Sequence, residues 1–236
     1  MQYKRILAVG DIHGMYDKLI ALMEKVKFNP EQDLLIFLGD YIDRGPHSLE
    51  CLDYVMALNK QYPEWVIPLL GNHEYMCVGY ILCEKYDFGR ELLPDFRIDL
   101  VLSYAWSDNG GEDTYRKLKT LEKCELEKRL RWLAGLPIYY QVNDYFFCHA
   151  GLDPWMSLCH QSIRDLLCSR KWFYNYNGDE TIVVGHTPAQ LTHYLPYRKP
   201  VPRFLNNRII LCDTGAYMEG GKLSCVDVLS KKFWQA

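Results

Sequence analysis

Five short polar segments in this sequence carry residues that could do chemistry, and each follows or borders an apolar run. Together they supply three aspartates, an asparagine, four histidines and an arginine. Such a set could bind two metal ions and leave an acid and a phosphate-binding cation. A centre of two metal ions mainly hydrolyses bonds at phosphorus or at a carbonyl. The segments are Gly10–Gly14, Gly39–Gly45, Gly71–Glu74, His149–Gly151 and Gly185–Thr187.

The spacing within the first segment predicts a metal site. Asp11 and His13 are two residues apart, so on an extended chain both side chains point to the same side and can bind one ion. A carboxylate with an imidazole suits Mn²⁺, Fe or Zn²⁺ better than Mg²⁺ or Ca²⁺, which prefer shells made only of oxygen. Asp40 could bridge two ions through its two carboxylate oxygens. The residues that would then complete a second site are Asn72, His149 and His186.

Apolar runs between the polar segments predict the elements that position them. Ile6–Val9, Leu34–Leu38 and Trp65–Leu70 are typical of buried strands. Between them, Leu19–Val26 has its apolar residues at helical spacing, and Ser48 is expected to cap a second helix. This alternation predicts parallel βαβ units with right-handed crossovers.

The first three polar segments each begin at the carboxyl end of a predicted strand. Open α/β sheets gather their ligands at that edge, so these side chains are expected to converge. Taken alone, the segment around Asp11 could instead be a turn with an aspartate cap and a surface histidine. Four of the seven histidines fall inside the five segments, however, and each segment borders a strand end. The combination favours the metal site.

The second half of the chain is predicted to add helices and a second sheet. A helix is expected from Tyr75, and residues 80–108, which lack a clean period, are interpreted as helical. Glu112–Leu121 and Cys124–Ala134 are also predicted to be helices. The predicted fold is α/β, with two mixed β-sheets packed as a sandwich, built on βαβαβ units and flanked by helices. The later strands are predicted at Ile138–Val142, Tyr145–Cys148, Thr181–Val184, Ile209–Cys212 and Lys222–Leu229.

The length and composition favour a single domain over residues 1–236. No linker, repeat or low-complexity stretch divides the chain, and a site built from segments between residues 10 and 187 needs most of it. Hydrophobic residues make up 49% of the sequence, which is ample for a large core. A net charge of -3 argues against a dedicated nucleic-acid surface.

The ends of the chain and its cysteines bear on location. No apolar stretch approaches the roughly 20 residues that span a bilayer, and the chain enters a predicted strand too early for a signal peptide. The nine cysteines are odd in number and form no C-x-x-C pair. Apolar neighbours of Cys148, Cys212 and Cys225 predict buried thiols rather than disulfides or zinc ligands. We therefore expect a cytoplasmic protein.

The segments Gly39–Gly45 and Gly71–Glu74 resemble the signature of the phosphoprotein-phosphatase branch of the calcineurin-like metallophosphoesterases. The likeness is greatest to the small bacterial and phage-type Ser/Thr protein phosphatases, which are related to symmetrical diadenosine tetraphosphatases. It extends from Asp11 to the turn at residues 213–215. It implies a centre of two divalent metal ions, with Mn²⁺ preferred and Fe or Zn²⁺ as alternatives. The implied ligands are Asp11, His13 and Asp40 for the first ion and Asp40, Asn72, His149 and His186 for the second.

The same resemblance assigns roles to the other polar residues. His73 would protonate the leaving group as a general acid, and Asp43 would orient it. Arg44 and Asn72 would bind the substrate phosphate. Arg170 is the expected second phosphate-binding arginine, and an ordinary helix-surface arginine is the alternative. A hydroxide bridging the two ions would attack phosphorus in line, without a phosphoenzyme.

The resemblance leaves more than one substrate open. A Ser/Thr protein phosphatase is favoured, since Glu74 and the triplet at residues 43–45 differ from the usual pattern of related nucleotide-cleaving enzymes. The alternatives are a symmetrical bis(5′-nucleosyl)-tetraphosphatase, an RNA 5′-cap hydrolase and an enzyme that acts on another phosphorylated small molecule. A non-catalytic scaffold is disfavoured because no expected ligand is missing. Specificity is expected to lie in residues 80–108 and 189–208, no partner subunit is implied, and the oligomeric state is left open.

A glycine-containing segment and three further histidines can be explained without a role in catalysis. Asn109–Gly111 is either a substrate loop near the site or a tight turn. His47, His160 and His193 are interpreted as surface or wall residues rather than metal ligands.

Overall fold

The first half of the chain folds as the alternating strands and helices that the sequence predicts. The computed structural model describes residues 3–192 and 199–236. The first elements are β1 at Arg5–Val9, α1 at Tyr16–Val26, β2 at Asp33–Phe37, α2 at Ser48–Gln61 and β3 at Val66–Pro68. β1 pairs with β2, and β2 with β3, in parallel, because each helix returns the chain to the same end of the sheet.

Further helices follow β3, and the first of them starts earlier than predicted. They are α3 at Asn72–Lys85, α4 at Leu100–Tyr104, α5 at Glu112–Lys119, α6 at Lys123–Ala134 and α7 at Ile163–Cys168. α3 begins at Asn72 rather than Tyr75, with Gly71 as its N-cap. The carboxylate of Glu74 accepts the Gly71 amide and fixes this start. Two of the predicted site residues, Asn72 and His73, therefore lie in the first helical turn.

Two other helix predictions need correction. Ser48 is the first residue of α2 and not its cap, because its hydroxyl instead accepts the amide of Asp43. Residues 80–108 are only partly helical. Beyond α3 and α4 they contain single 3-10 turns at Asp87–Gly89 and Ser107–Asn109.

A second, mixed sheet follows, as predicted. Its strands are β4 at Tyr139–Val142, β5 at Tyr145–Cys148, β6 at Thr181–Val184, β7 at Arg203–Leu205 and β8 at Ile209–Leu211. They are arranged in the order β4-β5-β6-β8-β7, with parallel pairing among β5, β6 and β8 and antiparallel pairing at both edges. The short edge strand β7 was not among the predicted strands.

A C-terminal hairpin completes the first sheet. β9 (Ser224–Asp227) lies antiparallel to β1, and β10 (Lys232–Gln235) lies antiparallel to β9, which gives the order β10-β9-β1-β2-β3. The predicted strand Lys222–Leu229 is shorter in the structure, because the carboxylate of Asp227 accepts the hydroxyl of Ser230 and the chain turns there. The turn produces β10, an additional strand beyond those predicted.

The two sheets pack face to face, and helices cover the outer side of the first sheet. Ile6 and Ala8 of β1 belong to a buried cluster with Phe147 and Val183 of the second sheet. Leu7, which lies between them and faces the other side of the sheet, packs against the helices in a different cluster. Because both faces are buried, these strands are apolar throughout rather than alternating. The predicted α/β architecture of two mixed sheets with flanking helices is confirmed.

Neither a membrane-spanning helix nor a disulfide is present in the described residues. Over the ranges 3–192 and 199–236, no helix combines the length and hydropathy that a bilayer crossing requires. All nine cysteines lie within these ranges and carry free thiols. The prediction of buried thiols at Cys148, Cys212 and Cys225 is confirmed.

Candidate metal centre

The polar segments converge at one edge of the sandwich, although their residues lie up to 175 positions apart in sequence. Each segment follows a strand, in the order β1, β2, β3, β5 and β6. The six residues that the sequence predicts as ligands are all buried, with at most 8% of each exposed. They are Asp11, His13, Asp40, Asn72, His149 and His186.

The first donor set lies around His13. Its Nε2 atom is 3.4 Å from Oδ2 of Asp40 and 4.0 Å from Oδ2 of Asp11. Nδ1 of His13 lies 2.9 Å from the carbonyl of Ile42, and an N–H donated there leaves a lone pair on Nε2. Burial lowers the pKa of His13 well below its ordinary value, which favours the neutral form that binds metal.

The second donor set is tighter. Oδ1 of Asn72 lies 2.8 Å from Nε2 of His149 and 2.9 Å from Nδ1 of His186, and the two ring nitrogens are 3.2 Å apart. His149 donates its Nδ1 proton to the carbonyl of Leu38 at 2.8 Å, which directs Nε2 into the cluster. Burial lowers the pKa of His186 well below its ordinary value. The Nε2 atom of that ring is buried without a hydrogen-bond partner among the described residues.

Asp40 lies between the two donor sets. Oδ2 faces His13, whereas Oδ1 is 3.4 Å from Nε2 of His149 and accepts the amide of His73 at 3.0 Å. Burial opposes ionisation, but the nearby His149 and His73 hold the pKa of Asp40 well below its ordinary value. An ionised carboxylate with one oxygen towards each set is the arrangement that a bridging ligand needs.

These donors fit a pair of metal ions. Asp40, His149 and His186 present one ligand atom each within 4.8 Å of one another, and so do His13, Asp40 and His73. The group of His13, Asp40 and His73 shows that His73 is near enough to be a metal ligand, since its Nε2 is 3.9 Å from Oδ2 of Asp40. Both of its ring nitrogens have other partners, however. Mixed oxygen and nitrogen donors suit Mn²⁺, Fe and Zn²⁺.

The backbone at the site is strained at five positions. These residues have positive φ angles although none is glycine, and such strain persists where the surrounding contacts impose it. The residues and φ angles are His13 at 47°, Asp40 at 54°, Asp43 at 72°, Arg44 at 67° and His186 at 63°. Five of the twelve non-glycine residues with positive φ in the described ranges thus lie in the predicted site.

A buried carboxylate, that of Glu74, holds the loop after β2 in this conformation. Oε1 accepts the amides of Tyr41 and Ile42, and Oε2 accepts those of Asp40 and Gly71. Burial raises the pKa of Glu74 to about 7, whereas four amide donors favour the charged form. Glu74 thus positions Asp40 without facing either donor set.

The predicted acid and phosphate-binding residues lie beside the first donor set. Nδ1 of His73 is 2.7 Å from Oδ2 of Asp43, and Nε2 is 3.1 Å from Nη2 of Arg44. The guanidinium of Arg44 stacks 4.5 Å above the ring of Tyr217 and is exposed at the mouth of the site. The three predicted residues are therefore brought together.

Arg170 lies on the other side, near the second donor set. It follows α7 in a loop, so it is not a helix-surface arginine. Its Nη1 donates to the hydroxyl of Thr187 at 3.1 Å, and its charge adds to the burial that lowers the pKa of His186. The side chain is exposed, and its guanidinium could donate hydrogen bonds to a phosphate oxygen.

The sequence model of the calcineurin-like phosphoesterase family matches residues 4–213. The chain belongs to the calcineurin-like phosphoesterase family. Several relatives differ in the substrate that their names give. The chain is 42% identical to serine/threonine-protein phosphatase 1 of Salmonella typhimurium over an alignment of 202 positions, which covers 80% of this chain and 81% of that protein.

Two other relatives are nucleotide-cleaving by name. The chain is 27% identical to the asymmetrical bis(5′-nucleosyl)-tetraphosphatase PrpE of Anoxybacillus flavithermus, over 92% of this chain and 88% of that protein. Over 62% of its length, this chain is 32% identical to the symmetrical bis(5′-nucleosyl)-tetraphosphatase of Mannheimia succiniciproducens. That match spans 44% of the length of the Mannheimia protein.

A solved structure shares the fold of this calcineurin-like phosphoesterase. It is the crystal structure of a proposed diadenosine tetraphosphatase, with a TM-score of 0.66 at 19% identity. The similarity covers 98% of this chain and 92% of that one. The predicted metallophosphoesterase-like fold is therefore confirmed.

Some residues at the site carry no obvious motif signal. Tyr217 lies under Arg44, and its ring centroid is 5.1 Å from that of His13. Asp213 is buried, and burial raises its pKa to about 6. It follows β8 as Asp11 follows β1, so the strand-end rule could have found it.

The alternative histidines behave as the sequence suggests where they are described. His47 is 45% exposed at its side chain and pairs with Glu50, and His160 is exposed next to Ser157. His193 lies outside the described residues. Neither His47 nor His160 belongs to a donor set found in the described part of the chain.

Replacing Asp40 should cost more metal than replacing Asp11. Asp40→Asn should lose both ions, because one carboxylate oxygen faces each donor set, whereas Asp11→Asn should retain the second ion. Metal content per chain, measured by plasma mass spectrometry after dialysis, is the test. Asp17→Asn, at an exposed position of α1, is the matched control. Equal metal contents in the two site variants would contradict the bridging position of Asp40.

Replacing Glu74 by its isostere should destabilise the site. In Glu74→Gln the side-chain amide must face two backbone N–H donors, so we expect unfolding free energy to fall by about 1–3 kcal/mol, with weaker metal binding. Denaturant unfolding of the metal-free protein measures the first effect, and a metal titration measures the second. Glu24→Gln, exposed on α1, should change neither. An unchanged stability in Glu74→Gln would show that the four amide contacts contribute little.

Proposed function

We propose that this chain is a metal-dependent phosphomonoesterase that acts as a Ser/Thr protein phosphatase. The observation that carries the proposal is the placement of the His73–Asp43 pair and of Arg44 directly beside Asp40, the residue shared by both donor sets. An acid, a phosphate-binding cation and a metal-binding carboxylate are what hydrolysis of a phosphate monoester requires.

The metal ions would be held by the buried donors described above. When bound, they would supply a nucleophile activated at neutral pH and Lewis-acid polarisation of the phosphoryl group. Mn²⁺ is the proposed metal, with Fe and Zn²⁺ as alternatives. The proposed ligands are Asp11, His13 and Asp40 for one ion and Asp40, Asn72, His149 and His186 for the other.

The chain's own side chains would then act on the two ends of the scissile bond. In its doubly protonated form, released from the contact with Arg44, His73 would donate a proton from Nε2 to the departing alkoxide, while Asp43 accepts from Nδ1 and keeps the ring in place. Arg44 and Arg170 are exposed on opposite sides of the donor sets, so their planar forks could bind the equatorial phosphate oxygens. Asn72 would contact the phosphate from the first turn of α3.

The choice of a phosphoprotein substrate rests on similarity. The 42% identity to serine/threonine-protein phosphatase 1 covers four fifths of both chains and supports that substrate. The 27% identity to an asymmetrical bis(5′-nucleosyl)-tetraphosphatase, over 92% of this chain, supports dinucleoside tetraphosphates as the second candidate. A symmetrical tetraphosphatase and an RNA 5′-cap hydrolase belong to this second, nucleotide-cleaving class.

A direct comparison of kcat/KM separates the two substrate classes. With Mn²⁺ added, we expect values on phosphoserine and phosphothreonine peptides to exceed those on diadenosine tetraphosphate by about tenfold or more. Metal-stripped protein should be inactive on both until Mn²⁺ is restored. A preference for the dinucleotide would overturn the phosphoprotein assignment, and full activity without metal would overturn the metal-dependent mechanism.

Replacing His73 tests the acid directly. His73→Asn should keep both ions, while kcat on phosphoserine peptides falls by about 10²–10⁴, the usual effect of a positioned acid. The loss should be smaller on para-nitrophenyl phosphate, whose leaving group needs little protonation. Metal content and the two kcat values are measured together, with His160→Asn as the exposed control. Loss of a metal ion, or equal slowing on both substrates, would mean that His73 is not the acid.

A further inference from the structure

Trp106 contacts the residue that orients the proposed acid. Its side chain is buried, with 1% exposed, and its indole Nε1 donates to Oδ2 of Asp43 at 2.7 Å. The same oxygen lies 2.7 Å from Nδ1 of His73. Oδ1 of Asp43 is buried and has no hydrogen-bond partner among the described residues. In the described part of the chain, the side chains that bond the Asp43 carboxylate are therefore those of His73 and Trp106.

The position of the indole is fixed by its surroundings. The rings of Tyr80 and Tyr115 pack against it at centroid distances of 5.6 and 6.2 Å. On another side, the backbone of Gly111 approaches so closely that an added Cβ would lie 2.4 Å from Nε1. A glycine is needed there because any side chain would displace the ring.

The segment that carries Trp106 also touches the phosphate-binding arginine. Gly110 has a φ of 94°, and a Cβ at this position would lie 3.3 Å from Cγ of Arg44. The Asn109–Gly111 turn is thus a tight turn that lies against the site. One segment, residues 106–111, contacts both the His73–Asp43 pair and Arg44.

The direction of the hydrogen bond matters for the acid. An indole N–H can only donate, so it fixes Oδ2 of Asp43 as an acceptor towards His73. Without this bond the buried carboxylate of Asp43 would keep only the hydrogen bond of Oδ2 with His73 and would lose half of its side-chain hydrogen bonds. The carboxylate would then be free to turn, and His73 would lose the orientation that directs Nε2 outward.

We propose that Trp106 is a positioning residue for protonation of the leaving group. It acts through Asp43 on His73 and does not itself touch substrate or metal. The inference rests on the role of His73 as general acid in the proposed function. The hydrogen-bonded pair of His73 and Asp43 thereby becomes a series of three residues, and the third, Trp106, lies in the irregular region after α4.

The test is removal of the indole N–H while an aromatic ring is kept at residue 106. Trp106→Phe should keep its metal content, while kcat on ethyl phosphate falls by about tenfold, the effect of one hydrogen bond. On para-nitrophenyl phosphate kcat should change less than about twofold, because that leaving group needs little protonation. KM should be unchanged on both. Trp132→Phe is the matched control, since its indole donates to Asn59 away from the site.

Two further variants keep the inference testable if the Phe ring leaves a cavity. Incorporation of β-(3-benzothienyl)alanine at residue 106 preserves the two-ring shape and replaces the N–H by sulfur, so it should give the same leaving-group dependence. In the double variant Asp43→Asn with Trp106→Phe, the loss should not exceed that of Asp43→Asn alone, because both act on one interaction. Additive losses would contradict a shared path.

The outcomes separate this inference from the proposed function. If His73→Asn shows the leaving-group dependence and the variants at residue 106 slow both esters equally or neither, Trp106 is only a packing residue. If His73→Asn lacks the dependence, the acid assignment itself fails and the inference fails with it. Simple alkyl and aryl phosphates are used so that the result does not depend on whether the natural substrate is a phosphoprotein.

Discussion

Mutual repulsion among the buried carboxylates of Asp11, Asp40, Glu74 and Asp213 is the constraint around which the site is organised. Burial together with neighbouring charge raises the pKa values of Asp11, Glu74 and Asp213, so ionising all of them beside Asp40 is costly without a cation. The protein supplies part of the compensation itself. Burial opposes protonation of His149, but Asp40 raises its pKa to about 9. A pair of divalent cations would supply the rest and displace that proton.

The contacts that compensate this charge also join the two sheets. The amide of His186, after β6, donates to both carboxylate oxygens of Asp11, after β1. His149, after β5, bonds the carbonyl of Leu38, after β2. Metal bound between these residues would cross-link the halves of the sandwich, and ligands that bind only the folded state stabilise it. Catalytic competence and stability are therefore expected to rise together on metal binding.

The sequence predicts this architecture well where periodicity is strong and poorly where tertiary contacts decide. Buried strands such as Leu34–Leu38 and the strand-end ligands follow from continuous apolar runs, because parallel strands collect polar residues at one edge. The start of α3 was misplaced because Asn72 and His73 serve as helix residues and site residues at once. Trp106 could not be found, because its partner Asp43 is 63 residues away and no periodic pattern connects them.

The position of β1 in its sheet has a consequence for biosynthesis. β1 comes first in sequence among the described strands, yet it lies between β2 and β9, the first strand of the C-terminal hairpin. Its lateral pairing is complete only when residues 224–227 have been synthesised. Contacts between residues so far apart in sequence form late. They also make folding slower, because the entropy of loop closure is lost before the contacts contribute any favourable free energy. A chain synthesised only as far as residue 223 therefore leaves one hydrogen-bonding edge of β1 unpaired, although it already contains all six predicted metal ligands.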